Sequence, residues 1–289
     1  MRFGGSLMKH ELLLLCLMAH FAGDYYLQTK HLAKIKDNVF KGVVQHSFIY
    51  CIPFLFIWFL LGLDGSLWKP LLFICIIHFI IDSVKFLYKV KIIKKIKKKY
   101  LVLRESTLYL VDQGLHLISI IIICFINRYV IITSVLPIEA FFQYLNIDSH
   151  KLFRWILLML IIGKPINISF KKLFTGIKPS DQLISQYSGS EFKLSVTAAD
   201  TSMDMNRKTI IGIENKNAGQ YIGFLERILI AIFLSIGQYA SIGFIMTAKS
   251  IARYDKISKS QEFAEYYLVG TLASLIAALL TYFFIFTLL

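Results

Sequence analysis

No CxxC pair occurs in this sequence, and its four cysteines, Cys16, Cys51, Cys75 and Cys124, stand far apart, each inside an apolar run. That spacing argues against a disulfide framework and a thiolate zinc site, and leaves the four as small core hydrophobes. Charge is scarce as well: 17% of the residues are Asp, Glu, Lys or Arg, against about a quarter in a soluble domain. No clean small-residue cleavage site follows the first apolar run, so the N-terminus is expected to be a retained span and not a signal peptide. What is abundant is apolar: 56% of the 289 residues are hydrophobic, and mean hydropathy is +0.63. The expected fold class is therefore all-α, a polytopic integral membrane protein.

The net charge of +14 does not point to nucleic acid. Lys and Arg lie between hydrophobic segments and not on one amphipathic surface, which is a topology signal. The expected partner is membrane lipid, with a cytoplasmic-leaflet contact as a secondary possibility. Apolar stretches near the ~20 residues that a bilayer requires run over Glu11–Gln28, Val43–Leu63, Pro70–Tyr88 and Thr107–Ile126, with a weaker one at Phe153–Gly163 and two more at Tyr221–Ala248 and Glu265–Leu289. This gives about six to seven segments, the first four forming a bundle with a polar core.

The implied division is a four-span core over 1–130, a connecting segment with an uncertain span over 131–165, a polar and partly disordered loop over 166–218, and C-terminal membrane helices over 219–289. Lysines crowd the first and third connections, including the KKIKKK run at 94–99. The positive-inside rule puts both in the cytoplasm. In the C-terminal half both flanks of Tyr221–Ala248 are basic, which a single crossing cannot satisfy. Either Gly237-Gln238 breaks that stretch into a re-entrant hairpin, whose backbone protein or water must then cover, or Phe153–Gly163 does not cross.

The first four spans carry polar residues in a repeating pattern. His20 and Asp24, His78 and Asp82, and Asp112 and His116 are each four apart, one turn along the same helix face. The order reverses in the last pair, and so does the chain direction. Each Asp is thus nearer the cytoplasmic end, with its His about one turn, ~6 Å, deeper. His46 opens the second span at the same level. An unpaired Asp at a helix centre costs ~3 kcal/mol on insertion scales, so the seven need partners. Four imidazoles and three carboxylates suit Zn, Mn, Fe or Ni. They could fill one site, or two sites that share a bridging Asp. A metal-free His–Asp network gluing the helices together is the plain alternative, at ~0.6–2 kcal/mol per contact. Haem would want two facing His and would leave the Asp unexplained.

Gln28, Lys85 and Gln113 are expected beside this cluster as supporting or substrate-contacting groups, and His10, His31 and His150 outside it. In the C-terminal half, Glu226, Arg227, Lys249, Arg253 and Glu265 lie near segment ends. Glycines and serines there are spaced for close helix packing. Arg227, Lys249 and Arg253 are a possible anionic headgroup site, with tight packing and interfacial ion pairs as the simpler reading.

The stretches AHFAGDYYLQTKHLAKIK, VVQHS, HFIIDSVK and VDQGLH resemble a bacterial membrane-protein family catalogued as domain of unknown function 3307. YIGFLERILI, IGFIMTAKSIARY and AEYYLVGTLASL resemble it further along. The resemblance implies a multi-pass protein of the bacterial inner membrane, and singles out His20, Asp24, Gln28, His46, His78, Asp82, Lys85, Asp112, Gln113 and His116. It implies no biochemical role. In style the cluster is similar to those of membrane-bound metal-dependent hydrolases and alkaline ceramidases.

Three functions compete. The first is an intramembrane metal-dependent hydrolase of an amphiphile, with a divalent ion on the His residues and Asp24, Asp82 or Asp112 as ligand or general base. The second is a transporter of a divalent cation or a proton-coupled solute. Few helix breakers (Gly23, Gly114, and Pro53 deeper in the second span) lie near the cluster, which counts mildly against transport. The third is a non-catalytic scaffold with a polar core.

Overall fold

The computed structural model describes residues 9–91, 101–127, 144–145, 147–174 and 203–289. The KKIKKK run, most of the segment after the fourth span and the middle of the polar loop lie outside these. Helices make up the fold, with no strand among the described residues. Among the described residues, five helical stretches are long and apolar enough to cross a membrane: Phe40–Leu60, Trp68–Val90, Glu105–Ile126, Ser149–Leu173 and Gln261–Leu288. Leu12–Leu27 is a shorter apolar helix.

The first helix, α1 (Lys9–Phe21), widens into a π-helical turn over Ala22–Leu27 and ends where Gln28 turns extended at ψ 107°. Such turns insert one extra residue per hydrogen-bonded loop and recur at functional sites. The short helix α2 (Lys30–Asn38) starts at Thr29, whose Oγ1 accepts from the Leu32 amide at 3.1 Å. This satisfies one of the amides that every helix start leaves open. Extended Val39 then turns the chain into α3 (Phe40–Leu60). Gly42 lets α2 lie directly on α3, because a Cβ there would fall 2.5 Å from the backbone carbon of Ile35 and the nitrogen of Lys36.

A turn with positive φ at Gly62 and Leu63 leads into α4 (Trp68–Lys91), and α5 is Leu101–Ile126. The Asp64 side chain accepts from the amide and hydroxyl of Ser66 at 2.8 and 2.6 Å. This local bonding is characteristic of a turn. The weaker apolar segment is helical. Asp148 caps α6 (Ser149–Ile162), the backbone breaks at Gly163 (ψ −115°), and α7 continues over Lys164–Leu173. The Tyr26 hydroxyl pins this junction to the end of α1, donating to the Leu160 carbonyl at 3.0 Å and accepting from the Lys164 amide at 3.2 Å.

The chain forms two compact units, Met1–Ile168 with Phe283–Leu289, and Ser169–Tyr282. The first unit thus takes in α6, which packs on α1. The expected polar loop over 166–218 is helical at both ends. α7 runs to Leu173, and α8 occupies Met203–Ser235. In the second unit α8 and α9 (Tyr239–Ile251) pack against each other. They are separated at Gly237, whose φ of +71° lies in the region where glycine carries no Cβ penalty. Of the two alternatives, the structure has the break at Gly237-Gln238, and Phe153–Gly163 lies within a helical stretch long and apolar enough to cross. After α10 (Tyr254–Lys259), α11 (Gln261–Phe283) joins them, and Ile230, Leu234, Ile242 and Ala278 form the core.

Candidate metal centre

All seven residues of the His/Asp pattern are buried in the first unit. His20, His46, His78, Asp82, Asp112 and His116 are each no more than 4% exposed, and Asp24 is 8% exposed. Imidazoles and carboxylates are this deeply buried only when partnered or coordinated.

Four of them point at a common centre. His46 Nε2 is 3.1 Å from Asp24 Oδ1, 3.1 Å from His78 Nε2 and 3.6 Å from Asp82 Oδ2, and His78 Nε2 is 3.2 Å from the same Asp82 oxygen. Tetrahedral zinc with bonds of ~2.0–2.1 Å spaces its ligand atoms about 3.3 Å apart, which these distances bracket. The donor set thus fits a borderline divalent ion, with Asp24, His46 and His78 in one group and His78, Asp82 and His116 in an overlapping one.

With both carboxylates ionised, no single pair of tautomers meets every one of these contacts. A neutral imidazole has one N–H and one acceptor nitrogen. If both Nε2 atoms carry protons, each donates to its carboxylate, and two N–H groups then face each other at 3.1 Å. If one Nε2 is bare, it can accept from the other ring at 3.1 Å, but its lone pair also faces a carboxylate oxygen unless that carboxyl carries a proton. A fully charged pair repeats the first conflict. The Nδ1 atoms of both rings are buried and make no hydrogen bond, and neither ring nitrogen of His116 makes one. A cation receiving lone pairs from both Nε2 atoms and from the two carboxylates would meet the contacts at this point.

The surroundings hold these groups in place. Tyr50, on α3, stacks on the His78 ring with centroids 3.5 Å apart and planes 2° from parallel, and its hydroxyl bonds His20 Nδ1 at 3.0 Å. Gly23, in the π-helical turn, makes room for it; a Cβ there would lie 2.9 Å from the Tyr50 ring. His116 packs against His78 and His20, ring centroids 4.3 and 5.7 Å away. The Gln113 amide donates to Asp24 Oδ2 at 2.8 Å and more distantly to Asp112 Oδ2 at 3.3 Å, while its carbonyl accepts from Tyr25 at 2.8 Å. The Tyr25 proton is thereby committed, so in the 2.7 Å contact between hydroxyls it is Tyr109 that donates. Replacing Gln113 with Leu leaves Asp24 half-satisfied. The expected result is metal affinity about 10–100-fold lower, as for other outer-shell losses, measured by chelator competition; unchanged affinity would show that the chain Tyr109–Tyr25–Gln113 does not hold Asp24.

Two lysines face the carboxylates. Lys36 Nζ is 2.7 Å from Asp82 Oδ2 and 4.0 Å from Asp24 Oδ1, and Lys85 Nζ is 2.6 Å from Asp112 Oδ2. Asp112 is therefore the counter-ion of Lys85, outside the convergent ligand groups. Gln28 is half-buried at the end of the π-helical turn.

Sequence reading passed over Lys36, Tyr25, Tyr50 and Tyr109. Lys36 looked like one of several loop lysines, although it lies four residues after Leu32, the buried residue of α2. Tyr50 lies four residues after His46, repeating the spacing of the His/Asp pairs with a phenol.

In the second unit, Lys249 is bound to Glu226 at 2.6 Å, and buried Arg227 donates to Ser274 at 3.3 Å. Lys249 of the possible headgroup site is therefore already paired with a carboxylate, and Arg253 is half-buried at the start of α10.

Residues 12–145 match the family model described as protein of unknown function (DUF3307). The match takes in the whole His/Asp cluster with Lys36, Tyr50 and Gln113, and ends before the C-terminal stretches. No curated protein and no solved structure matches the chain.

Proposed function

We propose that this protein is an intramembrane metal-dependent hydrolase, binding a divalent ion through Asp24, His46, His78 and Asp82 and acting on an amphiphile at the cytoplasmic side of a bacterial inner membrane. The observation that carries the reading is the His46–His78 contact at 3.1 Å between two nitrogens that each also meet a carboxylate. A bound ion would lower the pKa of a coordinated water and polarise the scissile group. Asp82 Oδ1, buried and without a hydrogen bond, can take the proton as the water oxygen bonds to the carbonyl or phosphoryl centre. The bond to the leaving group then breaks, and that group receives the proton.

An apolar cavity on two of the same helices suits an amphiphilic chain, although none of the four ligands lines it. It has a volume of about 170 Å³ and lies along α1 and α3, lined by Leu15, Met18, Ala19, Ala22, Pro53 and Phe56 among others. One observation favours the scaffold reading: Lys36 and Lys85 give Asp82 and Asp112 cationic partners without any metal. It leaves one imidazole lone pair facing a carboxylate, which is why the metal reading is preferred.

The test is turnover. Purified protein in mixed micelles is expected to hydrolyse an alkyl ester, amide or phosphate, to lose that activity to a chelator and regain it with Zn or Mn. Turnover indifferent to chelator and to His78→Ala would contradict the proposal.

A further inference from the structure

The four cysteines, far apart in sequence, meet in pairs across the first unit. The Cys51 thiol, on α3, hydrogen-bonds the Cys75 thiol on α4. The Cys16 thiol, on α1, does the same with Cys124 on α5. The two pairs differ in what lies beside them. Cys51 and Cys75 both line a cavity of about 430 Å³, whose other walls are Phe54, Leu55, Trp58, Trp68, Leu71 and Leu72. Cys16 and Cys124 are buried, and neither lines this cavity.

The volume falls within the ~300–1,000 Å³ of small-molecule pockets, and the walls decide what enters. Both cysteines lie inside stretches apolar enough to cross a membrane, Phe40–Leu60 and Trp68–Val90. An ion or a strongly hydrated molecule would shed its water there and find little to replace it. The Trp58 indole N–H is already spent on the Asp64 carbonyl, at 3.0 Å, so that side chain offers the cavity no donor. A neutral ring meets apolar and aromatic surface, against which ring faces and edges pack favourably.

We infer that Cys51 and Cys75 form an oxidisable dithiol that reduces a lipid-soluble quinone bound in this cavity. Two S–H bonds break and one S–S bond forms. The two electrons and two protons released pass to the quinone, whose two carbonyl oxygens become the hydroxyls of a hydroquinone. Reactants and products are all neutral, so the exchange leaves no charge stranded among the apolar walls. Half-buried Cys51 is the thiol that meets the quinone, and buried Cys75, in contact with it, closes the disulfide. Neither cysteine is a ligand of the His/Asp centre, so this inference and the metal reading stand or fall separately.

The test uses the full chain in detergent, reduced and then freed of reductant, with decylubiquinone as the probe. Its ring is fully substituted, which disfavours simple thioether formation. Loss of quinone absorption in the ultraviolet is expected to reach about one equivalent per chain, as a two-electron couple requires. Peptides carrying Cys51 and Cys75 should then be recovered joined by a disulfide. Cys51→Ala and Cys75→Ala should each abolish the reaction, while Cys16→Ala leaves it unchanged. Glutathione disulfide, an equally competent oxidant that is charged and hydrated, should oxidise the pair far more slowly. The inference is overturned if wild type leaves the quinone unreduced although all four thiols titrate after unfolding, or if reduction survives in Cys75→Ala. A disulfide found at Cys16–Cys124 instead, or equal rates with glutathione disulfide, would overturn it as well.

Discussion

His78→Ala is expected to strip the protein of bound metal, with affinity falling by at least ~100-fold, beyond the ~10–100-fold of an outer-shell change. His78 belongs to both ligand groups, so its loss cannot be covered by moving the ion from one to the other. Its Nε2 meets His46 and Asp82 at 3.1 and 3.2 Å, and its ring is one face of the stack with Tyr50. Asp24→Ala should do the same from the other side of the centre. His31→Ala should have no effect, because that ring is exposed on α2. Chelator competition on the three variants checks this, and equal losses would show that the metal is not held specifically by the buried ligands.

Gly42→Ala is expected to destabilise the protein by about 1–3 kcal/mol or more, the usual range for forcing atoms into a packed contact. The new methyl would meet backbone atoms of Ile35 and Lys36 at 2.5 Å, and backbone cannot rotate out of the way as a side chain can. Gly114→Ala is the matched control. It too replaces a helical glycine, but a Cβ there meets nothing within 4 Å, so the change should be neutral or stabilising by up to ~1 kcal/mol from helix propensity. Thermal unfolding in detergent should therefore move in opposite directions, or at least fall only for Gly42→Ala. If the two variants melt alike, α2 does not rest on α3 at this glycine and the seat of Lys36 is wrong.

Much of the centre was legible before any coordinates. An i, i+4 pattern fixes which residues share a helix face, and reversal of His and Asp in α5 follows from reversal of chain direction. Burial of all seven side chains agrees with that reading. What spacing could not tell is which of them converge. Asp112 shares the pattern, yet Lys85, one helix away, takes its Oδ2 at 2.6 Å, a pairing that depends on how α4 is rotated against α5. Lys36 was hidden for a related reason. Its place depends on the close approach of α2 to α3 at Gly42, and a lysine among loop lysines carries no mark of burial. In the second half, alternation of apolar and basic stretches left the crossing ambiguous. Positive φ at Gly237 ends α8 and lets α9 fold back, a backbone property that only glycine hints at in sequence.

The most direct measurement is elemental analysis of the wild-type protein, purified in detergent without chelator, beside Asp24→Ala and His78→Ala. Close to one equivalent of Zn, Mn, Fe or Ni per chain in wild type, lost in both variants, is the expected result. No metal in wild type, even after incubation with each ion and removal of excess, would contradict the centre and leave the four helices joined by a His–Asp–Lys network alone.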